Sequence, residues 1–356
     1  MSDVVHSTIA DASPIGASVL PLDRPPRVAG ITGLGYYVPR RVLTNADLEQ
    51  VVDTNDEWIR TRTGISERHL AAADESTADL AEKAARAALQ DAGVGPEDIQ
   101  LIIVATCTPD YQGFPSTASL LQDRLQCSCA AFDLGAACSG FVYSLVMAQQ
   151  FIASGAAQTV LVVGAEVLSR IVDWSDRNTC VLFGDGAGAA VLQAVQPGYG
   201  MLGFDLGSDG SGGELLKVER GDSAGLDVGT EHLGLLTTCK NRIIQNGREV
   251  YRFAVNIMGE SAVRALETCG IASEDVDLFV PHQANVRIID AAAKRLGLSS
   301  DKVFVNLEKY GNTSAASIPI ALCEAREQGK IRSGSTVVMV GFGGGLTWAS
   351  CVMKWV

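Results

Sequence analysis

The chain has 356 residues, enough for two domains or one large one. Hydrophobic residues make up 47% and charged residues 19%, which excludes a wholly disordered chain. There are 28 basic and 41 acidic residues, so the formal net charge of −13 and the lack of a basic, aromatic-interleaved stretch argue against nucleic-acid binding. No apolar run approaches the ~18–20 residues that a membrane span needs, so we expect no membrane partner.

The first 26 residues differ in composition from the rest. They contain four prolines, which would break a helix, and no basic segment ahead of an apolar stretch. We therefore expect residues 1–26 to be a flexible extension and not a secretory signal, and its acidic residues argue against a transit peptide. The nine cysteines include no CxxC metal pair, which predicts a reduced chain in the cytoplasm without a metal site.

Helix and strand patterns alternate after the extension. Residues 78–93 are rich in Ala, Leu, Glu and Lys and end at a glycine, which predicts a helix. Residues 138–155 are apolar on nearly every face, which predicts a helix buried all round. Three segments are continuously apolar, as strands buried on both faces are: 101–106, 159–166 and 187–195. The predicted class is α/β, with helices on both faces of the sheets.

The chain also repeats itself once. Residues 91–104 align with 268–281 through a glycine, two acidic residues and several aliphatic positions. Residues 159–164 align with 336–341 at the same offset of 177. Because both matches have the same offset, the alignment needs no insertion or deletion between them, which indicates a duplicated unit.

The repeat divides the chain into three parts. After the extension we place the first copy at 27–197 and the second at 198–356. A duplicated unit that contains an internal buried helix predicts layers in the order α-β-α-β-α.

A cysteine, Cys138, lies where a strand-like segment at 130–135 meets the predicted buried helix. A thiol at a helix N-terminus lies near the positive end of the helix dipole, which lowers its pKa from ~8.5 and raises the thiolate fraction. The small neighbours Ala137, Ser139 and Gly140 would let a substrate approach. The alternative is that Cys138 is one more small buried side chain.

His282 follows an apolar segment of the second copy in the sequence VPHQAN, and sites in α/β folds collect at the carboxyl ends of strands. His6 lies in the extension, and His69 and His232 lie in polar or loop-like sequence. His282 is therefore the candidate for chemistry, with a structural histidine as the alternative. Asn312 belongs to a glycine-led turn, GNTSAAS, which ordinary turn chemistry also explains.

Three consecutive glycines, 343–345, follow the predicted strand at 336–341. Their N–H groups could point at a developing oxyanion, or the run could be a tight connection between two strands. The glycine-rich segments at 33–35 and 184–188 have neither a full GxGxxG fingerprint that opens a helix nor a P-loop GK[ST]. We interpret both segments as turns and close packing.

Together these motifs resemble β-ketoacyl-acyl carrier protein synthase III, the condensing enzyme that initiates type II fatty-acid synthesis. The resemblance covers residues 27–356 nearly continuously. It rests on TNADLE (44–49), VDTNDEWIRTRTGI (52–65), AACSGF, LFGDGAGAAVL (182–192), VPHQAN, GNTSAAS and FGGGLTW. It implies a thiolase-like five-layer α-β-α-β-α fold built from two duplicated halves, a cytoplasmic homodimer, and no metal or redox cofactor.

The resemblance implies a Cys-His-Asn set. Cys138 is expected to accept an acyl group from acyl-CoA, while the backbone N–H groups of Cys138 and Gly344 hold the oxyanion. His282 Nε2–H and the Asn312 amide are expected to stabilise the enolate that forms when malonyl-acyl carrier protein loses CO₂. The carbanion then attacks acyl-Cys138 and releases the β-ketoacyl chain.

The resemblance also implies binding residues. The CoA contacts would be Thr54, Trp58, Arg62, Arg177, Gly247 and Asn285, with Trp58 and Arg177 stacking on the adenine. Arg287, Lys294 and Arg295 would form a local basic patch for the acidic carrier protein. The alternatives are a surface Trp–Arg contact and a solvated helix face.

Two phenylalanines are expected to bound the acyl pocket. Phe114 resembles a residue that crosses the dimer interface to close the acyl pocket, and Phe183 resembles a residue of a second pocket wall. The alternative for Phe183 is ordinary core packing. A bulky ring would shorten the pocket, so we predict acetyl-CoA, with propionyl-CoA as the next candidate, over branched or long primers.

Three other functions remain open at this point. The chain could be a related acyltransferase of secondary metabolism, a catalytically silent partner subunit, or a cysteine hydrolase. A silent partner would need none of Cys138, His282 and Asn312, and a hydrolase would need neither Asn312 nor the basic patch.

Overall fold

The computed structural model describes residues 27–220 and 241–356, so the extension at 1–26, His6, His232 and Cys239 lie outside it. Its strands are β1 (Val28–Tyr37), β2 (Arg41–Thr44), β3 (Glu67–Leu70), β4 (Leu101–Ala105), β5 (Ala130–Leu134), β6 (Thr159–Glu166), β7 (Gly186–Val195), β8 (Gly200–Ser208), β9 (Leu216–Arg220), β10 (Asn241–Gln245), β11 (Leu278–Pro281), β12 (Thr336–Gly343) and β13 (Thr347–Lys354). Its helices are α1 (Asn45–Leu48), α2 (Asp56–Thr63), α3 (Thr77–Ala92), α4 (Thr117–Leu125), α5 (Gly140–Ala153), α6 (Gly247–Cys269), α7 (Val286–Leu296), α8 (Leu307–Tyr310) and α9 (Ser317–Glu327).

Two sheets form the frame of the molecule. The first has the order β1-β7-β6-β4-β5, and the second has the order β11-β12-β13-β8. Both sheets are mixed. In the first sheet β6 pairs with β4 in parallel and with β7 antiparallel. In the second sheet β12 pairs with β11 in parallel and with β13 antiparallel. The first sheet takes its strands from residues 28–195 and the second from 200–354, so the predicted boundary at 197/198 falls between them. That boundary stays a prediction.

Helices cover both sheets in five layers. α5 and α9 lie between the sheets, in a core that contains buried side chains from both. α3 and α4 pack on the outer face of the first sheet, and α6 packs on the outer face of the second with α7 beside it. The prediction of a thiolase-like α-β-α-β-α fold is therefore confirmed.

The local sequence explains where the main helices begin and end. α3 starts after Ser76, which forms a capping box with Asp79, and it ends at Gly93 in the left-handed conformation. α5 is apolar all round because it lies between two sheets. It begins at Gly140 rather than at Cys138, because residues 137–139 form a separate 3₁₀ turn.

The antiparallel pair of β9 and β10 stands apart from the two main sheets. It supplies Leu216, Val218 and Ile243 to a cavity next to Cys138. Within residues 27–220 and 241–356 no helix is long and apolar enough to cross a bilayer. The same residues contain no group of three or more His, Cys, Asp or Glu side chains that could hold a metal ion.

Candidate active site

Cys138 lies in a tight turn between β5 and α5. The preceding residue, Ala137, has a φ of +46°, in the left-handed region that a non-glycine residue rarely adopts. Ser139 holds the turn in place by donating to the Ala136 carbonyl (2.7 Å) and contacting Thr347 Oγ1 (2.9 Å). A Cβ at Gly343 would come within 2.5 Å of the Cys138 backbone nitrogen, so the second half presses directly against the turn.

The expectation that helix position lowers the pKa of Cys138 is wrong for this thiol. Burial raises the pKa of Cys138 to about 12, the Ser314 hydroxyl lowers it, and the Glu166 carboxyl group raises it further. Desolvation disfavours the thiolate more than the turn stabilises it. The resting side chain is therefore a protonated thiol, and its deprotonation needs an acceptor.

His282 follows β11, and its backbone N–H donates to the Val340 carbonyl of β12 (2.7 Å). The ring is buried, which lowers its pKa to about 3, so the imidazole is neutral at physiological pH. Its Nδ1 lies 2.6 Å from Ser317 Oγ, and that oxygen accepts the Gln283 N–H (3.3 Å). This arrangement fits a Ser317 hydroxyl that donates to Nδ1, with the imidazole proton on Nε2.

Asn312 lies in the loop between α8 and α9. Its backbone N–H donates to the Leu182 carbonyl (2.8 Å), and its carbonyl accepts the Gly184 N–H (3.0 Å). The side-chain oxygen accepts the Ser314 N–H at 2.9 Å. With the oxygen engaged, the NH₂ end of the carboxamide is left for a ligand.

A cavity of about 630 Å³ brings these groups together. It is lined by Cys138 from the first half and by His282 and Asn312 from the second. Four of the predicted CoA residues line the same cavity: Trp58, Arg62, Gly247 and Asn285.

The other two predicted CoA residues, Thr54 and Arg177, do not line the cavity, although Arg177 contacts Trp58, which does. The guanidinium carbons of Arg177 and Arg62 lie 4.5 Å and 5.3 Å from the centre of the Trp58 ring, close enough for cation–π contact. Arg177 also lies 3.3 Å from Asp53. Thr54 is half-buried, and its hydroxyl has no hydrogen-bond partner among the described residues.

The three predicted carrier-binding residues lie on α7 in different situations. Arg287 lines the cavity mouth and donates to the Thr61 carbonyl (2.9 Å). Lys294 is exposed, whereas Arg295 lies 3.2 Å from Glu260 of α6. The sequence reasoning missed two further residues of the cavity, Arg248, which directly follows Gly247 on α6, and Tyr251, one helical turn later. A basic residue next to a predicted contact was the available signal for Arg248.

A second cavity, of about 210 Å³, shares Cys138, Phe183 and Leu216 with the first. Cys138 and Gly344 both line it, as the predicted oxyanion pair requires, and Cys107 lies in the same wall. Phe114 lines neither cavity. Its side chain is 88% exposed on the segment before α4, so this chain does not place it in its own acyl pocket.

The chain matches known proteins along most of its length. Models for 3-oxoacyl-[acyl-carrier-protein] synthase III and for its C-terminal part match residues 132–210 and 266–355. A β-ketoacyl-[acyl-carrier-protein] synthase III of Desulfitobacterium hafniense is 55% identical over 330 residues, which are 92% of this chain and 97% of that protein.

Solved structures agree with these matches. The 3-oxoacyl-[acyl-carrier-protein] synthase III of Aquifex aeolicus is 48% identical with a TM-score of 0.85, over 92% of this chain and all of that one. The priming β-ketosynthase of the R1128 polyketide pathway is 35% identical with a TM-score of 0.83, over 94% of this chain and 99% of that one. The chain therefore belongs to the β-ketoacyl-[acyl-carrier-protein] synthase III family.

Proposed function

We propose that the protein joins a short acyl-CoA to malonyl-acyl carrier protein with loss of CO₂, which yields the β-ketoacyl carrier protein that initiates fatty-acid synthesis. One observation carries this proposal: Cys138, His282 and Asn312 line a single cavity. A nucleophile and two neutral hydrogen-bond donors around one space are the groups that a decarboxylative condensation needs.

The first step is acyl transfer to Cys138. Its sulfur loses the thiol proton and attacks the thioester carbonyl of acyl-CoA, and the CoA thiolate leaves and takes up a proton, so the net step moves one proton from Cys138 to CoA. The negative charge on the tetrahedral intermediate falls to the N–H groups of Cys138 and Gly344, two residues that share the wall of the smaller cavity. The acyl group then extends into that cavity.

The second step is decarboxylation and condensation. Loss of CO₂ from the malonyl group leaves an enolate, whose oxygen accepts hydrogen bonds from His282 Nε2–H and the Asn312 NH₂ group. The contact with Ser317 and the low pKa of His282 support the first donor, and the bond from Ser314 N–H to the Asn312 oxygen supports the second. The carbanion attacks acyl-Cys138, and the thiolate leaves with the new C–C bond formed.

Both substrates enter through the larger cavity. Trp58 and Arg177 would stack on the adenine, with Thr54 beside them, while Gly247 and Asn285 follow the pantetheine arm inward. Arg287 and Arg248 make this mouth basic on a chain of net charge −13, which suits the phosphates of CoA and an acidic carrier. Lys294 is exposed farther along α7 and would add to the basic surface for the carrier. Arg295 contributes less, because Glu260 lies beside it.

We propose acetyl-CoA as the primer. Phe183 bounds the pocket from within the chain, and Phe114 from a second copy is expected to close its far end in a homodimer. The exposure of Phe114 supports a role outside its own chain. The smaller cavity of about 210 Å³ has space for more than an acetyl group, so the primer must be tested with longer acyl chains as well. We place the reaction in the cytoplasm, where the eight described cysteines would stay unpaired.

Intact-mass analysis tests the proposal. The protein is incubated with isotope-labelled acetyl-CoA and then with malonyl-acyl carrier protein; we expect an acetylated protein followed by acetoacetyl carrier protein. The Cys138→Ser variant should show neither, whereas Cys269→Ser, a thiol on α6 outside both cavities, should behave like the wild type.

Three other outcomes would each contradict part of the proposal. Release of free acetate would indicate a hydrolase. Faster acylation by isobutyryl-CoA or dodecanoyl-CoA would refute the primer. Transfer to an acceptor other than malonyl carrier protein would favour the related acyltransferase of secondary metabolism. The similar structure of a polyketide priming synthase is the reason to test this outcome.

A further inference from the structure

A buried carboxylate behind the second half of the site takes no part in the steps above. Glu324 lies on α9, seven residues after Ser317, so both side chains leave the same face of the helix. Only 7% of Glu324 is exposed. A buried carboxylate is costly unless hydrogen bonds or charges replace its hydration, so its partners indicate what it does.

The two oxygens of Glu324 bind the two ends of α8. Oε2 accepts from Asn306 Nδ2 (2.9 Å), and Asn306 is the residue that precedes the helix. Oε1 accepts from the hydroxyl of Tyr310 (2.7 Å), the last residue of the helix. Both bonds are buried, and Lys309 Nζ adds a partly exposed ion pair to Oε1 (3.3 Å). Hydrogen bonds to a charged acceptor are roughly twice as strong as neutral ones, so Glu324 fixes the position of α8.

The bond to Asn306 leads to His282. The Asn306 N–H donates to Gln283 Oε1 (3.0 Å), and Gln283 directly follows His282. Gln283 Nε2 donates to the Pro281 carbonyl (2.7 Å), so the residues on both sides of His282 are held. The Gln283 N–H also donates to Ser317 Oγ (3.3 Å), the oxygen that contacts His282 Nδ1. The position of Asn306 therefore affects the position of the imidazole.

The bond to Tyr310 leads to Asn312. Tyr310 is buried, and a single residue, Gly311, separates it from Asn312. Gly311 has a φ of +64° and a ψ of −159°, a conformation that is essentially restricted to glycine. Its N–H donates to the Leu307 carbonyl (2.9 Å), which closes α8. Because the connection is this short, a displacement of Tyr310 would also displace Asn312.

We propose that Glu324 is a positioning residue that sets the separation of the two enolate donors, His282 Nε2–H and the Asn312 NH₂ group; this inference rests on the function proposed above. The donors come from different segments and must reach one oxygen atom. Donors stabilise an oxyanion from about 2.7–3.1 Å, and a displacement of about 1 Å can cost roughly 10²-fold in rate. One carboxylate bonded to both segments keeps the donors at a fixed separation.

Glu324, its two partners and Gln283 form a network on one side of the site. Within residues 27–220 and 241–356, no hydrogen bond joins this network to Cys138 or to the glycines at 343–345. Acyl transfer to Cys138 should therefore not depend on the network. A side chain that only stabilised the fold would instead affect acylation and decarboxylation alike.

Separate measurement of these two steps tests the proposal. Glu324→Ala removes both bonds, so release of CO₂ from malonyl-acyl carrier protein should be about 10²-fold slower while acetylation of Cys138 stays the same. Tyr310→Phe removes one hydroxyl and keeps the ring, so it does not depend on how well Glu324→Ala folds. It should slow decarboxylation about tenfold, half of the larger effect in free energy. Glu327→Ala, an exposed acid three residues later on α9, is the matched control and should change neither rate.

A combined variant shows whether Glu324 acts through the donors. The His282→Ala/Asn312→Ala double variant has no donor left to position, so adding Glu324→Ala should slow its residual decarboxylation no further. A further loss as large as that in the wild-type background overturns the proposal. An equal loss of acetylation and decarboxylation in Glu324→Ala, or full decarboxylation in Tyr310→Phe, also overturns it.

Nitrogen-15 NMR of the histidine side chains tests the position of the imidazole without any substrate. The His282 signal is identified by its absence in His282→Gln. We expect the signal to shift in Glu324→Ala and to stay unchanged in Glu327→Ala. An unchanged His282 signal in Glu324→Ala overturns the proposal. Failure of the wild type to decarboxylate malonyl-acyl carrier protein would refute the proposed function but leave this NMR result standing.

Discussion

The two halves of the molecule fold around the same turn and place different side chains on it. Residues 137–139 form a 3₁₀ turn before α5, and residues 314–316 form one before α9, at the offset of 177 found in the sequence. The first residue of each turn, Ala137 or Ser314, has a left-handed φ of +46° or +49°. Only the first turn carries the proposed nucleophile, because Ala315 occupies the position of Cys138 in the second turn.

The central strands connect the halves reciprocally. A Cβ at Gly341 of β12 would lie 3.1 Å from the Cys138 carbonyl oxygen, and one at Gly164 of β6 would meet the Ala315 carbonyl. Each half therefore supports the turn of the other. The same offset pairs His282 with Ala105. In the reaction proposed above, one backbone arrangement would serve two chemical tasks: the first half would hold the acyl group, and the second would stabilise the enolate.

The largest effect should come from removing the enolate donors of the second half. His282→Ala should keep acylation of Cys138 and lower the rate of malonyl decarboxylation by about 10²–10³-fold, because one such donor contributes ~2.7–4 kcal/mol. Asn312→Ala should act on the same step. Both rates can be measured separately, as acetylated protein by mass and as CO₂ release.

Asn256→Ala is the control for the separate effects on acylation and decarboxylation. Asn256 is exposed on α6 and lines neither cavity, so its substitution should change neither rate. If His282→Ala lowered acylation and decarboxylation equally, the two halves would not divide the reaction as proposed.

The buried imidazole of the second half should also limit stability in acid. The pKa of His282 is about 3 when folded and ~6.5 when unfolded, so between these values the unfolded chain binds the extra proton and stability falls as the pH falls. Between pH 7.5 and pH 5.0 this group should remove about 2 kcal/mol of the free energy of unfolding. Urea denaturation at both pH values should show a smaller pH difference in His282→Gln, and an unchanged difference would contradict the assigned burial effect.

The sequence predicts the frame better than it predicts the electrostatics. Two short matches at one offset predict the duplication, and the duplication together with the helix that is apolar on nearly every face predicts the five layers. Both signals survive in local sequence because buried strands and helices need apolar residues. The motif around Cys138 predicts a nucleophile there, but the raised pKa of the thiol depends on burial by the other half, which the local sequence does not contain. The sequence also does not show that the Phe114 side chain is exposed and lies outside both cavities of its own chain, because that placement depends on tertiary structure.

A smaller effect should follow from removing the hydrogen bond between Ser317 and the His282 imidazole. Ser317→Ala removes the hydroxyl that holds Nδ1 and thereby fixes the proton on Nε2. We expect decarboxylation about tenfold slower at unchanged acylation, since the second tautomer presents no donor to the enolate. Ser317→Thr, which keeps the hydroxyl, should restore most of the rate. Equal loss in both variants would point to packing as the cause.

The smallest effect should come from the mouth formed by the first half. Arg177→Ala should raise KM for acetyl-CoA about fivefold at unchanged kcat, because a partly exposed cation–π contact contributes ~0.5–1 kcal/mol. Acetyl-pantetheine lacks the adenine, so its KM should be the same in variant and wild type. Arg60→Ala, a more exposed arginine paired with Asp56 on the neighbouring helix α2, is the matched control and should change neither value. Since Arg177 acts before the acyl group reaches Cys138, decarboxylation by the acetylated protein should also stay the same. A raised KM for acetyl-pantetheine would mean that Arg177 shapes the cavity rather than clamping the adenine.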